Sequence, residues 1–111
     1  MTFEEATSEA LAFRDEREWA AFHNPKDLAL SISIEAAELL EVFQWSGIEL
    51  EAPSQSSRAV EELADVVIYC IYMADRLGVN LADIISDKLK TNSRNYPVDE
   101  SRGSSRKYTA S

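Results

Sequence analysis

The chain has 111 residues, one domain's worth by length, and carries 11 Lys and Arg against 20 Asp and Glu, a formal net charge of −9. A polyanion is not drawn to a nucleic-acid duplex or to an anionic membrane, so neither is the expected partner. Apolar residues make up 45% and charged residues 28%, which is the balance of a folded domain and not of a disordered one.

Met1–Ala10 already holds Glu4, Glu5 and Glu9 and lacks a basic leader, so no secretory signal is expected there. Helix one is expected over about Thr2–Ala21, with Thr2 as N-cap and Glu5 in the capping-box position. Pro25 after Asn24 marks a break, and helix two is expected from about Lys26 to Trp45, ending near Gly47. Leu28, Ile32, Ala36, Leu39 and Phe43 form its apolar stripe, while Leu30, Ile34 and Ala37 form a second apolar set on another side. A helix apolar on two sides is expected to be central or to lie at a subunit interface.

Helix three is expected over about Ser56–Leu77, stopped by Gly78, with Leu63, Val66, Val67, Cys70, Met73, Ala74 and Leu77 as its core stripe. Its longest apolar run, Val66–Ala74, is nine residues, far short of the ~20 needed to span a membrane. Cys70, the only cysteine, excludes an intrachain disulfide and a cysteine zinc cage, and reads as a buried inert thiol. Helix four starts at an Asn80 cap and continues to about Asn92. No segment shows sustained alternation, so the expected fold class is all-α, four helices within a domain spanning residues 1–97. Residues 98–111, rich in Ser, Arg and Asp without apolar periodicity, are expected to form a flexible tail. The expected compartment is the cytoplasm.

Helix two does not keep its acids opposite its apolar stripe. With Glu35 at 0°, Glu38 falls at about 300° and Val42 at about 340°, while Leu39 and Ile32 lie at about 40–60°. Helix three repeats the pattern: with Glu62 at 0°, Asp65 falls at about 300°, Tyr69 at about 340° and Met73 at about 20°. Carboxylates against apolar neighbours cost several kcal/mol each unless a counter-charge is supplied. If the two helices face each other, cations between the pairs would supply it, and oxygen-only ligands favour Mg²⁺ or Mn²⁺. If they do not, the pairs are two solvated acidic stripes. A di-iron bundle would need Glu-x-x-His pairs, and the one histidine, His23, stands outside both acid pairs.

Glu35-x-x-Glu38, a gap of 23 residues, then Glu62-x-x-Asp65 resembles the signature of the MazG-like all-α nucleoside triphosphate pyrophosphohydrolases. Further stretches are similar to the dCTP pyrophosphatase branch: Arg17-Glu18-Trp19, Phe22-His23-Asn24-Pro25, Ile34 to Leu39, Phe43-Gln44-Trp45, Glu61 to Val66 with Tyr69, and Lys88 to Asn92-x-Arg94-x-Tyr96-Pro97. Together they cover about Phe13 to Pro97. Many members of the superfamily carry a further acid where this chain has Ile34.

The resemblance implies a Mg²⁺-dependent enzyme (Mn²⁺ being an alternative) that cleaves a nucleoside triphosphate to the monophosphate and pyrophosphate. The expected substrate is dCTP or a modified dCTP. It implies metal ligation by Glu35, Glu38, Glu62 and Asp65, with Glu38 or Glu41 as general base. Lys88, Asn92 and Arg94 would hold the phosphates, where arginine's fork suits bidentate contact. Trp19, Phe22, His23, Trp45, Tyr69 and Tyr96 are the expected base and sugar contacts. The expected assembly is a homotetramer, a dimer of dimers, with a plain dimer next. The competing reading is a catalytically inactive acidic helical module that binds a protein partner.

Overall fold

The computed structural model describes residues 1–107, and every regular element among them is a helix. α1 spans Phe3–Glu16 and opens on Thr2, whose Oγ1 accepts the Glu5 amide at 3.1 Å. The helix expected to reach Ala21 stops earlier. Arg17 closes it, donating from Nη1 to the Phe13 carbonyl at 2.9 Å, and Glu18 turns left-handed at φ 53°. The next four residues, Trp19–Phe22, form a 3₁₀ turn. Nothing in the sequence announces this break, because a glutamate replaces the glycine that usually marks a left-handed residue.

α2 spans Pro25–Glu41. Asn24 caps it, accepting the Asp27 amide at 2.9 Å, and Pro25 takes the first position, where an amide hydrogen would have had no partner. It ends four residues before the expected Trp45. Val42, Phe43 and Gln44 bond back to Leu39, Leu40 and Glu41 at 3.0–3.3 Å, three residues apart, which tightens the helix into successive turns. Ala52 then adopts a left-handed conformation at φ 38° ahead of a 3₁₀ turn over Pro53–Gln55, and proline disfavours a helical residue before it. α3 spans Ser56–Leu77 and is closed by Gly78 at φ 70°, as the sequence predicts.

Two compact units result, Met1–Gly78 and the chain from Val79 onward. In the first, α2 packs extensively along α3, and α1 packs against α3 as well. Leu28, Val42, Ala52, Ile71, Tyr72 and Ala74 are buried. Fully burying one such aliphatic side chain contributes roughly 1.5–3 kcal/mol. The expected α3 stripe is corrected at both ends: Leu63 and Leu77 are exposed, whereas Ile71 and Tyr72, outside that stripe, are buried. α3 has two partner helices, so its buried surface is wider than one stripe. On α2 the second apolar set stays uncovered, with Leu30 53% and Ile34 57% exposed.

In the second unit, α4 spans Leu81–Asn95, capped by Asn80, whose Oδ1 accepts the Asp83 amide at 3.1 Å. It runs three residues past the expected Asn92. α5, Val98–Ser101, is a single turn within the stretch expected to be a flexible tail. The last part of that stretch, residues 108–111, lies outside the described residues.

Candidate metal centre and adjoining aromatic cavity

The packing of α2 on α3 turns the two acid pairs toward each other. Carboxylate oxygens of Glu35, Glu62 and Asp65 lie within 4.8 Å of one another. The Glu38 carboxyl is within hydrogen-bonding reach of both Glu35 and Glu62. Burial among neighbouring acids works against the ionisation of Glu35 and Glu62. Glu35 is pushed up to about 7, first by exclusion of water, then by contact with Glu38 and the charges of Asp65 and Glu62. Glu62 is raised for the same reasons, desolvation first, with Arg58 pulling in the opposite direction.

One observation tests whether these residues suit a cation. Oε2 of Glu35 and Oε2 of Glu62 are both buried without a hydrogen-bond partner. A carboxylate oxygen withdrawn from water normally accepts a donor, and neither atom has one. An oxygen-only donor set with two such orphaned atoms suits a hard divalent cation. The residues fit.

Asp65 also lines a cavity of about 540 Å³ between α1 and α3, walled by Phe13, Trp19, Ile68, Tyr69, Ile71 and Tyr72. The cavity is lined by aromatic and aliphatic side chains, and Asp65 is the one member of the acid cluster that reaches it. Phe13 and Trp19 meet edge to face at 5.7 Å. His23 stacks on Tyr72 at 5.1 Å and meets Tyr69 edge-on at 6.3 Å, and its Nδ1 is buried without a partner. Burial, and secondarily Arg14, lower the His23 pKa below its ordinary 6.5.

The other residues singled out from the sequence fall elsewhere. Glu41, the last residue of α2, is exposed and is not among the charges that act on Glu35 or Glu62. Phe22 is exposed, and Trp45 is 88% exposed beyond the end of α2. Lys88, Asn92 and Arg94 belong to α4. Lys88 and Asn92 share a face, one turn apart, whereas Arg94 lies about 200° round from Asn92. Arg94 donates to Thr91 Oγ1 at 3.4 Å, and the Tyr96 amide caps α4 on the Asn92 carbonyl at 2.7 Å.

Sequence reasoning missed Arg58, Phe13 and Tyr72. Arg58 stands four residues before Glu62, the spacing at which opposite charges meet on a helix, so that signal was available. Tyr72 follows Tyr69 by three residues, but only the docking of α1 turns it into a cavity wall.

The MazG-like family matches residues 30–110. The chain is 41% identical over 102 aligned residues to dCTP pyrophosphatase 1 of Bos taurus, covering 87% of this chain, and 40% identical to dCTP pyrophosphatase 1 of Homo sapiens over the same span. It spans about 60% of the length of these curated relatives. Among solved structures, a pyrophosphatase from Archaeoglobus fulgidus DSM 4304 superposes with a TM-score of 0.75 at 42% identity, over 85% of this chain and 91% of that one. Matched over most of its length by the family, and carrying both acid pairs turned toward one another, the chain belongs to the MazG-like family.

Proposed function

We propose that the protein is a Mg²⁺-dependent nucleoside triphosphate pyrophosphohydrolase that cleaves a deoxynucleoside triphosphate, dCTP or a modified dCTP foremost, to the monophosphate and pyrophosphate. The observation that carries this reading is the convergence of Glu35, Glu38, Glu62 and Asp65 with two buried oxygens lacking donors. The names of the relatives supply the substrate class.

Glu35, Glu38, Glu62 and Asp65 hold the cation, with Mn²⁺ able to replace Mg²⁺. The chemistry Mg²⁺ supplies when bound is neutralisation of the triphosphate, about −4 in charge, and polarisation of the phosphorus. Without that neutralisation a chain of net charge −9 would repel such a substrate. Water attacks the α-phosphorus, an oxygen–phosphorus bond forms, and the bond to the pyrophosphate leaving group breaks. The proton of the water passes to a carboxylate. Glu38 is favoured over Glu41 for that role, because Glu38 reaches two of the other acids and Glu41 is exposed at the helix end. Lys88, Asn92 and Arg94 contact the phosphates.

The base enters the cavity lined by Trp19, Tyr69 and Tyr72, on the last of which His23 stacks, and Phe22, Trp45 and Tyr96 are further proposed base and sugar contacts; a stacked ring contributes roughly 1–3 kcal/mol. Tyr69, one turn from Asp65, sits beneath the sugar and excludes a ribose 2′-hydroxyl. Comparing dCTP and CTP turnover in Tyr69→Phe and Tyr69→Ala tests this, and equal discrimination in all forms would refute it. The uncovered face of α2, Leu30, Ile34 and Ala37, packs on a second copy, giving a homotetramer, with a dimer as the next reading. The enzyme works in the cytoplasm on the nucleotide pool.

A turnover screen with Mg²⁺ against the four dNTPs, dUTP, 5-methyl-dCTP and the four NTPs, detecting pyrophosphate, tests the activity directly. Release of pyrophosphate from dCTP, abolished in Glu38→Ala and Asp65→Ala, is expected. Absence of turnover, with no change in melting temperature on adding Mg²⁺, would leave an inert acidic bundle.

A further inference from the structure

Tyr72 is the most enclosed ring of the cavity wall, 3% exposed. It is held on three sides. His23 stacks on it at 5.1 Å, Tyr69 stands perpendicular to it at 5.8 Å, and the Arg14 guanidinium lies 5.8 Å from its centroid. Arg14 is itself immobilised. Its side chain is 11% exposed, with Nε donating to Asp15 at 2.8 Å and Nη1 donating to Asp75 at 2.7 Å. Asp15 is its chain neighbour, whereas Asp75 lies on the last turn of α3, so the Asp75 bond ties α1 to α3. Neither Arg14 nor Asp75 lines the cavity, and neither belongs to the acid cluster.

A long cationic side chain loses rotamer freedom when fixed. Here the two carboxylates fix it with its guanidinium carbon 5.8 Å from the Tyr72 centroid. A guanidinium so restrained beside a ring, with stacked and perpendicular rings beyond, restrains that wall. The wall it fixes carries Tyr69, which shares the cavity with Asp65.

We propose that Arg14, clamped by Asp75, is a positioning residue that sets nucleotide affinity by holding Tyr72, and through it Tyr69, against the cavity. The proposal rests on the pyrophosphohydrolase reading only in naming a nucleotide as the occupant. It separates two tasks within one site: the acids act on the phosphates, and the Arg14–Asp75 pair shapes the wall that receives the base.

The test compares Arg14→Gln, the near-isosteric Asp75→Asn, and Arg14→Lys. It uses steady-state dCTP hydrolysis with Mg²⁺, calorimetric binding of dCMP, and the Mg²⁺ concentration that gives half the thermal shift. Arg14→Gln and Asp75→Asn are expected to raise KM and weaken dCMP binding about tenfold, the size of one displaced stacking contact. kcat stays within about twofold and the Mg²⁺ midpoint does not move. Arg14→Lys, which keeps a cation opposite Asp75, recovers most of the loss. A lowered melting temperature with KM and dCMP affinity unchanged would reduce the pair to a structural tie between helices and overturn the proposal. So would a fall in kcat together with a weakened Mg²⁺ response, since the effect would then run through the acids. Should the wild type bind dCMP and hydrolyse nothing, the activity reading fails while weaker dCMP binding in Arg14→Gln upholds the clamp. Wild-type turnover with unaltered dCMP affinity in both charge-removing variants sinks the clamp alone, and a wild type that neither binds dCMP nor hydrolyses dCTP ends both.

Discussion

Glu35 holds its proton up to about 7 because three other acids and little water surround it. The unfolded chain releases that proton near 4.5. Between those values the native state binds more protons than the unfolded one, so stability of the metal-free protein falls as pH rises across the window. A cation competes with the same proton, so Mg²⁺ affinity should rise over that interval. Thermal melts at about pH 5 and about pH 8, with and without Mg²⁺, check both signs. Glu35→Gln should flatten the metal-free slope and remove the Mg²⁺-induced gain. His23 behaves oppositely: its native pKa lies below 6.5, so the folded state binds fewer protons and stability rises with pH from the native value up to 6.5. It is the single histidine, so one imidazole resonance follows it by proton NMR. Arg14→Gln should move that titration upward, because Arg14's charge is the second cause of the depression.

At the level of elements, three of the four long helices begin on a side chain that accepts an amide three residues on: Thr2, Asn24 and Asn80. Asn24→Ala should cost about 1 kcal/mol in chemical denaturation, with the loss centred on α2, which carries Glu35 and Glu38. Gly78 ends α3 at φ 70° with open space around a would-be Cβ. Alanine there meets no clash and should still cost about 1 kcal/mol, from the backbone conformation alone. Leu28, nearly inaccessible on the first turn of α2, should lose about 2–5 kcal/mol on truncation to alanine. A loss under 1 kcal/mol at Leu28 would mean that α2 does not seat on α3 as described.

The whole molecule leaves a large apolar inventory in water. Leu30 and Ile34 on α2, and Ile48 and Leu50 in the segment after it, are all more than half exposed. An exposed apolar face on a helix that also carries the acid pair is the physical basis for proposing a second copy. Leu30→Lys, placed on that face and away from the acids, should shift light scattering toward a smaller species at equal concentration. An unchanged mass would remove this face from the proposed interface.

Periodicity and punctuation were enough to set the all-α class, the span of α3, the caps at Thr2 and Asn80 and the presence of two acid pairs beside apolar residues. These are local properties, written in spacings of three and four and in residues that compete for unpaired amides. The break at Glu18 and the early end of α2 were not legible, because a left-handed glutamate and a tightened last turn carry no glycine or proline to mark them. Whether the acid pairs met could not be read from either helix alone. Two helices each present a face, and only their packing brings Glu35, Glu62 and Asp65 within 4.8 Å and strips two carboxylate oxygens of donors. The same holds for the cavity: Tyr72 became its enclosed wall because α1 docks on α3 and Arg14 reaches 61 residues along the chain to Asp75.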